Sequence, residues 1–380
     1  MTSVPSAPLG ERVTPGTADQ HIVDYIASKN FQRVLLVTGQ RSFSWFEDKG
    51  FIDRLSTLVD TERWSNARPN PEFTNLKQGL EVTSGHDPDV IIGVGGGSVL
   101  DMAKLLAVLH DRTSADVDAV TTGPVDLSTR KVHLILVPTT AGSGAEATHF
   151  SVLYRDDVKY SIAGKGLLPD HIVLDPSLVT GGEPEQLAAS GLDALCQCIE
   201  SIWAKGATSQ SQESATEGLR VLARSLVSFV RGDGSVAADI QWASHLGGHA
   251  INTSKTTAPH ALAYFLTVRL GVPHGVAVAS TLGYFIEHHS ASAELNDSST
   301  ENFNLALEII REVLGLENGE NAVEHFKALF SELGLDGPRT YWPQDNDSIN
   351  KWLRSANPQR LGNHPLPLGQ AELIQILGLD

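Results

Sequence analysis

The chain has 380 residues, 41% of them hydrophobic, and a formal net charge of −17 from 45 acidic and 28 basic residues. That length exceeds what one core normally fills, so two domains are expected. So acidic a surface repels phosphate backbones and anionic lipid, which argues against nucleic acid and membrane partners but leaves room for a small anion held by local Lys or Arg. The two cysteines, Cys196 and Cys198, lie two apart in a helical segment and point to different faces, so a disulfide framework is excluded.

Residues 1–20 lack the apolar centre of a signal peptide and read as a loose, Pro-rich tail. No run approaches the roughly 20 apolar residues of a membrane span, and a cytoplasmic protein is expected. Residues 33–38 (RVLLVT), 89–94 (DVIIGV) and 132–137 (VHLILV) are short apolar strand signals. With helical stretches between them, they imply a parallel sheet covered on both faces. An amphipathic pattern over 99–110 predicts a helix directly after the second strand. From residue 184 strand signals nearly vanish, and helices are predicted over 184–203, 208–230, 237–252, 258–270, 275–288, 302–316, 319–334 and 369–379. Gly181, Gly182 and Pro184 mark the change. The expectation is an α/β dinucleotide-binding domain over 21–183 and an all-helical metal and substrate domain over 184–380.

Gly95, Gly96, Gly97 and Ser98 close the second strand and open the helix. Glycine lets a phosphate approach the backbone, the N–H groups of a helix N-terminus point at that anion, and Ser98 is placed to cap. A triple glycine is also an ordinary strand-to-helix turn. A second hydroxyl- and glycine-rich loop, Thr139-Thr140-Ala141-Gly142-Ser143-Gly144, follows the next strand. Two such loops at the carboxyl ends of parallel strands are where nucleotides bind. Gly39, not an acidic residue, ends the first strand, and Arg41 is close by. This suits the 2′-phosphate of NADPH, although Arg41 is equally well read as a solvated turn residue.

Asp193 and Gln197 are four apart on one face of an apolar helix. His260 and His274 each open a helix after a proline, and Gly275 is read as permitting close approach of a ligand. One carboxylate and two imidazoles suit a divalent metal with an open position, although any pair among 14 histidines also arises by chance. Tyr264 shares the face of His260, whereas His149, His245, His249, His288 and His289 read as helix-face or surface residues.

At this point the residues resemble a family. The segments GGGSVLDMAK (95–104), VPTTAGSGAEAT (137–148), LPDHIVLDPSL (168–178), GLDALCQCIES (191–201) and the PHA…PHG pair (259–275) are similar, in order and spacing, to the iron-containing alcohol dehydrogenases. That family shares its fold with dehydroquinate synthase. The resemblance implies a Rossmann-like domain followed by an all-α domain, NADPH or NADH as cofactor, a divalent metal such as Fe(II), Zn or Mn, and a homodimer. It further implies that Gly95, Gly96, Gly97 and Ser98 take the pyrophosphate and that Thr139, Thr140 and Ser143 line the nucleotide. Asp101, Lys104 and Lys159 then sit near cofactor or substrate, and Asp193, Gln197, His260 and His274 hold the metal. Two departures stand out: Gln197 replaces the usual second His ligand, and Tyr264 replaces a further His of many members.

The strings GLDALCQ and NTSKTTAPHALAY look most like the phosphonoacetaldehyde reductase branch of phosphonate biosynthesis. A phosphonate needs a cation in its site. The turn Asn252-Thr253-Ser254-Lys255-Thr256, leading into a helix N-terminus, is the expected anion site, with Arg155 and Lys159 as further cations. Reduction of an aldehyde to a primary alcohol is therefore expected, with the proton coming from water through Tyr264 or the ribose hydroxyls. The alternatives are a dehydroquinate-synthase-like cyclase using NAD+ transiently, and a metal-free nucleotide-binding protein.

Overall fold

The computed structural model describes residues 5, 8–68, 70–156, 158–292, 301–316 and 321–379. Two compact units are present, Met1–Thr140 with Gly144–Gly181 and Ala141–Ser143 with Gly182–Asp380.

The first unit is built on strands β1 (Glu11–Arg12), β2 (Arg33–Thr38), β3 (Asp60–Trp64), β4 (Val90–Gly95), β5 (His133–Pro138) and β8 (His171–Leu174), ordered β1-β8-β5-β4-β2-β3 and all parallel. Its helices are α1 (Ala18–Ala27), α2 (Ser44–Asp48), α3 (Phe51–Ser56), α4 (Phe73–His86), α5 (Gly97–Leu109) and α6 (Ser114–Ala119). A strand turns successive side chains to opposite faces, and the two cores follow that alternation. Leu35, Val37, Ile91, Leu134 and Leu136 pack with α4 and α5, while Val34, Leu36, Ile92, Ile135 and Val137 pack with α1, α2 and α3. Strands buried on both faces need continuous apolar runs, which is why β2, β4 and β5 are the ones legible in sequence. A separate antiparallel hairpin, β6 (Phe150–Arg155) with β7 (Val158–Ala163), packs beside α5.

The loose tail expected over residues 1–20 is shorter than that. Glu11 and Arg12 pair with Val173 and Leu174, and α1 starts at Ala18. The Asp175 carboxylate accepts from the Gly16 and Ala18 N–H groups, and buried Asp19 pairs with Lys49 and Arg54. The anchoring groups come from positions far along the chain, so the local Pro-rich composition gives no hint of them.

The second unit is helical: α7 (Pro184–Trp203), α8 (Ser209–Val230), α9 (Ala237–Ser254), α10 (Ala258–Leu270), α11 (His274–Ser292), α12 (Glu301–Leu314), α13 (Ala322–Glu332), α14 (Asn346–Arg354), α15 (Pro358–Gly362) and α16 (Gln370–Leu377). Helix α7 is the hub, packing on α8, α9, α11 and α12. Both cysteines lie on it, buried as free thiols, and burial pushes the Cys198 thiol up to about 12.

Candidate functional site

Asp193, Gln197 and Glu200 fall at spacings of four and three along α7 and so share one face. All three are buried in an otherwise apolar helix, Glu200 completely. Pro259 lies in the first turn of α10 and Pro273 directly precedes α11, so His260 and His274 both sit at helix starts. His260 Nε2 lies 3.3 Å from Asp193 Oδ1 and His274 Nε2 lies 4.0 Å from the same oxygen. The candidate ligand atoms of Asp193, His260 and His274 are all within 4.8 Å of one another.

Gly275 has a different reason from the one its position suggested. A Cβ there would lie 1.9 Å from the Ala189 carbonyl oxygen and 2.6 Å from the Asp193 nitrogen. The glycine lets α11 approach α7 closely enough for His274 to reach Asp193; the close neighbour is backbone, not ligand.

Glu200 escaped the sequence reading, and it organises the site. Its carboxylate accepts from the Thr257 N–H and Thr257 Oγ1, each at 2.8 Å, and from the His260 N–H at 3.4 Å. It also binds His260 Nδ1. A carboxylate on Nδ1 fixes the tautomer that leaves Nε2 with its lone pair toward Asp193. Burial alone would lower the His260 pKa, but the Glu200 and Asp193 carboxylates outweigh it and the net shift is upward. The Thr257 hydroxyl in turn accepts from Trp203 Nε1 at 3.0 Å. On the other imidazole, Thr267 Oγ1 approaches His274 Nδ1 at 3.4 Å. The signal for Glu200 was available: it is the third polar residue of a four-then-three pattern in an apolar helix.

The donor set fits a divalent metal ion. Gln197 Oε1 is buried and accepts no hydrogen bond, a costly arrangement for a polar oxygen. Its Nε2 donates to the Ser143 carbonyl at 3.3 Å, which fixes the amide orientation. A carboxylate, two imidazoles and an amide oxygen make a mixed N/O set suited to zinc, iron(II) or manganese, with Gln197 the weakest donor.

In the first unit, the glycine loop opens α5 as expected, with one difference. Gly96 is the N-cap and Gly97 and Ser98 are already helical, so Ser98 does not cap. No side chain caps the first turn of α5 and no acidic residue lies in it, which suits an incoming anion. A Cβ on Gly95 would lie 2.6 Å from Val99 Cβ, so helix packing accounts for that glycine by itself. Thr139 donates its N–H to the Gly95 carbonyl, and Gly96 faces Thr140. Ser143, expected with the nucleotide, groups with the helical unit. Gly39 is buried at the end of β2, and Arg41 is exposed beyond it.

Asp101 and Lys104 gather at the β6–β7 hairpin. Asp101 accepts from the Val152 N–H at 3.0 Å. Burial raises its pKa, while the Lys104 and Lys159 ammonium groups oppose the rise. Lys104 is fully buried and donates to Thr148 Oγ1 and the Phe150 carbonyl, with its pKa lowered by burial to about 8. The ammonium ties α5 to β6. Arg155 lies on β6, where Nη1 donates to the Asp118 carbonyl.

At the expected anion turn, one place is already filled from within the chain. The N-terminus of α10, which was to hold a phosphonate, already holds the Glu200 carboxylate. Asn252 is buried on α9, and Lys255 is exposed after its C-terminus with φ +60° and ψ 179°. Ser254 Oγ sits 2.6 Å from Ser201 Oγ, eight residues past Asp193 on α7 and so about 12 Å along its axis. Lys255 follows on that far side. Asn363 clamps the turn, its Nδ2 donating to the Ser254 and Thr256 carbonyls and its Oδ1 accepting the Gly206 N–H.

Tyr264 is half-buried one turn beyond His260. His289, read as a helix-face or surface residue, lies on α11 and is fully buried, with Nε2 2.9 Å from Nε2 of His364. The pairing residue is 75 positions away, out of reach of any local pattern.

A carboxylate–imidazole cluster suited to a divalent metal, in a chain that also carries an anion-ready helix start on a parallel sheet, has the parts that a metal-assisted nicotinamide oxidoreductase needs. Comparison with known proteins agrees. Residues 13–176 match the iron-containing alcohol dehydrogenase family and residues 187–377 match the C-terminal family of Fe-containing alcohol dehydrogenases. The chain belongs to the iron-containing alcohol dehydrogenase family. It is 38% identical over 212 residues to a phosphonoacetaldehyde reductase of Streptomyces viridochromogenes, a match spanning 53% of this chain and 54% of that protein. It is 29% identical over 340 residues to long-chain-alcohol dehydrogenase 1 of Geobacillus thermodenitrificans, covering 85% of this chain and 84% of the relative. Among solved structures, sulfoacetaldehyde reductase from Bifidobacterium kashiwanohense in complex with NAD+ superposes with a TM-score of 0.86 at 24% identity, covering 100% of this chain and 99% of the other. That last likeness establishes the fold. The chain is thus an oxidoreductase of a family that uses a nicotinamide dinucleotide and a metal. The cyclase and the metal-free binding protein are not favoured.

Proposed function

We propose that this enzyme reduces an anionic aldehyde, phosphonoacetaldehyde, to its primary alcohol, using NADPH or NADH and a divalent metal held by Asp193, Gln197, His260 and His274. The observation that carries the chemistry is the convergence of Asp193, His260 and His274. The substrate rests on the 38% identity to a phosphonoacetaldehyde reductase over about half of each chain.

When bound, the metal supplies Lewis acidity toward the carbonyl oxygen and the nicotinamide supplies the hydride. Glu200 accepts from His260 Nδ1 and so turns Nε2 toward Asp193, and Thr267 orients the His274 ring. The uncapped N–H groups at Gly97 and Ser98 would hold the pyrophosphate, and Gly39, Arg41, Thr139, Thr140 and Lys159 are the residues that would hold the rest of the dinucleotide. The proton that completes the alcohol passes from water through the Tyr264 hydroxyl. A phosphonate dianion requires a cation in the site. With Lys255 displaced, the candidate is Arg360, half-buried on α15 with Nη1 3.5 Å from the His260 carbonyl oxygen. A planar guanidinium matches phosphonate oxygens in a bidentate fashion. The same reading includes a cytoplasmic homodimer; among the described residues no helix is long and apolar enough to cross a membrane.

The test is oxidation of NADPH and NADH with phosphonoacetaldehyde and with neutral aldehydes of similar size, on metal-stripped enzyme refilled with iron(II), zinc or manganese. Metal-dependent turnover with strong preference for the phosphonate supports the proposal. Equal turnover with neutral aldehydes removes the substrate assignment alone. No oxidation of either cofactor with any aldehyde or metal removes the reductase reading.

A further inference from the structure

We infer that Glu11, His21 and His171 form a second metal site, suited to a divalent transition ion such as zinc, on the first unit at the end of the sheet opposite the glycine loop. His171 is the first residue of β8, Glu11 lies in β1 and His21 lies on α1. The glycine loop follows the last residue of β4. Neighbouring β5 spans six residues, about 20 Å, so the sheet's length separates the two places.

The three candidate ligand atoms form a near-equilateral triangle. His21 Nε2 and His171 Nε2 are 3.2 Å apart, and Glu11 Oε2 is 3.5 Å from the first and 3.6 Å from the second. A point equidistant from atoms at these separations lies about 2.0 Å from each, which is the length of a zinc–imidazole or zinc–carboxylate bond. Tetrahedral zinc spaces its ligand atoms by about 3.4 Å, within 0.2 Å of all three distances. Among the described residues, only this group and Asp193–His260–His274 bring three such ligands together.

A hydrogen-bonded pair of imidazoles would account for the His–His contact alone. It does not account for a carboxylate placed almost equally from both nitrogens, nor for the support behind the rings. His171 stacks on Tyr25 with centroids 4.3 Å apart and planes 6° from parallel. The Tyr25 hydroxyl is 3.0 Å from His133 Nε2, and His133 Nδ1 is 3.3 Å from Asp170 Oδ2. A ring held this way loses little freedom on taking a metal. Burial lowers the His171 pKa, with Glu11 opposing, so the ring stays neutral at neutral pH and keeps a lone pair to give. Glu11 is about half exposed, at 54%, which leaves the fourth position open to water. Two imidazoles and one carboxylate favour zinc over hard, oxygen-seeking calcium or magnesium. Bound there, the ion joins β1 and α1 to β8 and fastens the N-terminal segment to the sheet.

The experiment counts zinc on full-length protein after desalting from a micromolar zinc buffer. Wild type is expected to hold two ions per chain. The Asp193→Asn/His274→Ala variant, disabled at the other site, is expected to retain one, and its cobalt form to absorb in the visible as a tetrahedral centre. Adding Glu11→Gln, a change at an exposed side chain that spares the fold, should weaken the remaining zinc at least tenfold. Adding His21→Gln should abolish it. Zinc should also slow amide exchange in residues 8–27 of the Asp193→Asn/His274→Ala protein. An Asp193→Asn/His274→Ala protein that holds no zinc, or one whose zinc is unchanged by Glu11→Gln and His21→Gln, overturns the assignment.

Discussion

Replacing Glu200 by Gln exchanges one heavy atom of a fully buried group and changes no volume to speak of. The native carboxylate takes four donors: the Thr257 N–H, the Thr257 hydroxyl, the His260 N–H and His260 Nδ1–H. A Gln amide offers only one acceptor oxygen, and its NH2 must face one side. If the NH2 faces His260, Nδ1 has to accept, the proton moves to Nε2, and the lone pair needed by the metal is lost. If it faces Thr257, two donors meet and the helix start is strained. Loss of a carboxylate behind a ligating histidine typically weakens metal binding 10–100-fold, or about 1.4–2.7 kcal/mol. Glu200→Ala is the poorer choice, since it strands four buried donors at about 1–3 kcal/mol each and endangers the fold. The assay is competition with a chelating dye on the folded Gln variant, checked by thermal melting. Expected are a metal Kd raised at least tenfold, activity largely restored at saturating metal, and an unchanged KM for the cofactor. A folded variant with wild-type metal affinity would refute the assigned role of Glu200.

Other expectations follow from the same geometry. Gly275→Ala drives a methyl into the Ala189 carbonyl and should destabilise by about 3 kcal/mol or more in urea titration, with loss of metal binding. Lys255→Gly relieves a backbone conformation that side chains avoid and should stabilise by roughly 1 kcal/mol. Lys255→Ala should leave KM for a phosphonate aldehyde within about twofold, while Arg360→Gln should raise it far more than KM for a neutral aldehyde. The His289–His364 pair sets an acid limit. Burial holds His289 down to about 3 and His364 well below the usual value of 6.5. The unfolded chain takes up these protons near pH 6.5 and the folded chain does not. Stability is therefore full above that pH and falls as pH drops toward 3, by about 1.4 kcal/mol per unit for His289. A His289→Phe/His364→Leu variant should show a flatter acid limb in denaturant titrations between pH 6.5 and 4.5.

The doubly covered strands β2, β4 and β5 were legible because burial on both faces leaves only apolar residues, and the helices because their apolar period is long. Strand β3 was not, since at a sheet edge its residues (DTERW) are mostly charged or polar and carry no apolar run. The hairpin β6–β7 carries the same ambiguity. In the site, Asp193, Gln197, His260 and His274 could be picked out from motif order. Lys255 was singled out because helix starts attract anions in general, whereas the anion at this one, Glu200, comes from 57 residues upstream, beyond any local pattern. His289 and His364 were opaque for a related reason: a histidine is silent about burial until its partner is known.

The Asn363 clamp bears on the order in which the molecule is made. The turn that launches α10 and presents His260 is fastened by a side chain 109 residues later, which also reaches back to Gly206 at the end of α7. A growing chain thus carries its ligand residues long before it carries the fastener. The turn that positions His260 is therefore held in its final shape only once Asn363 is in place.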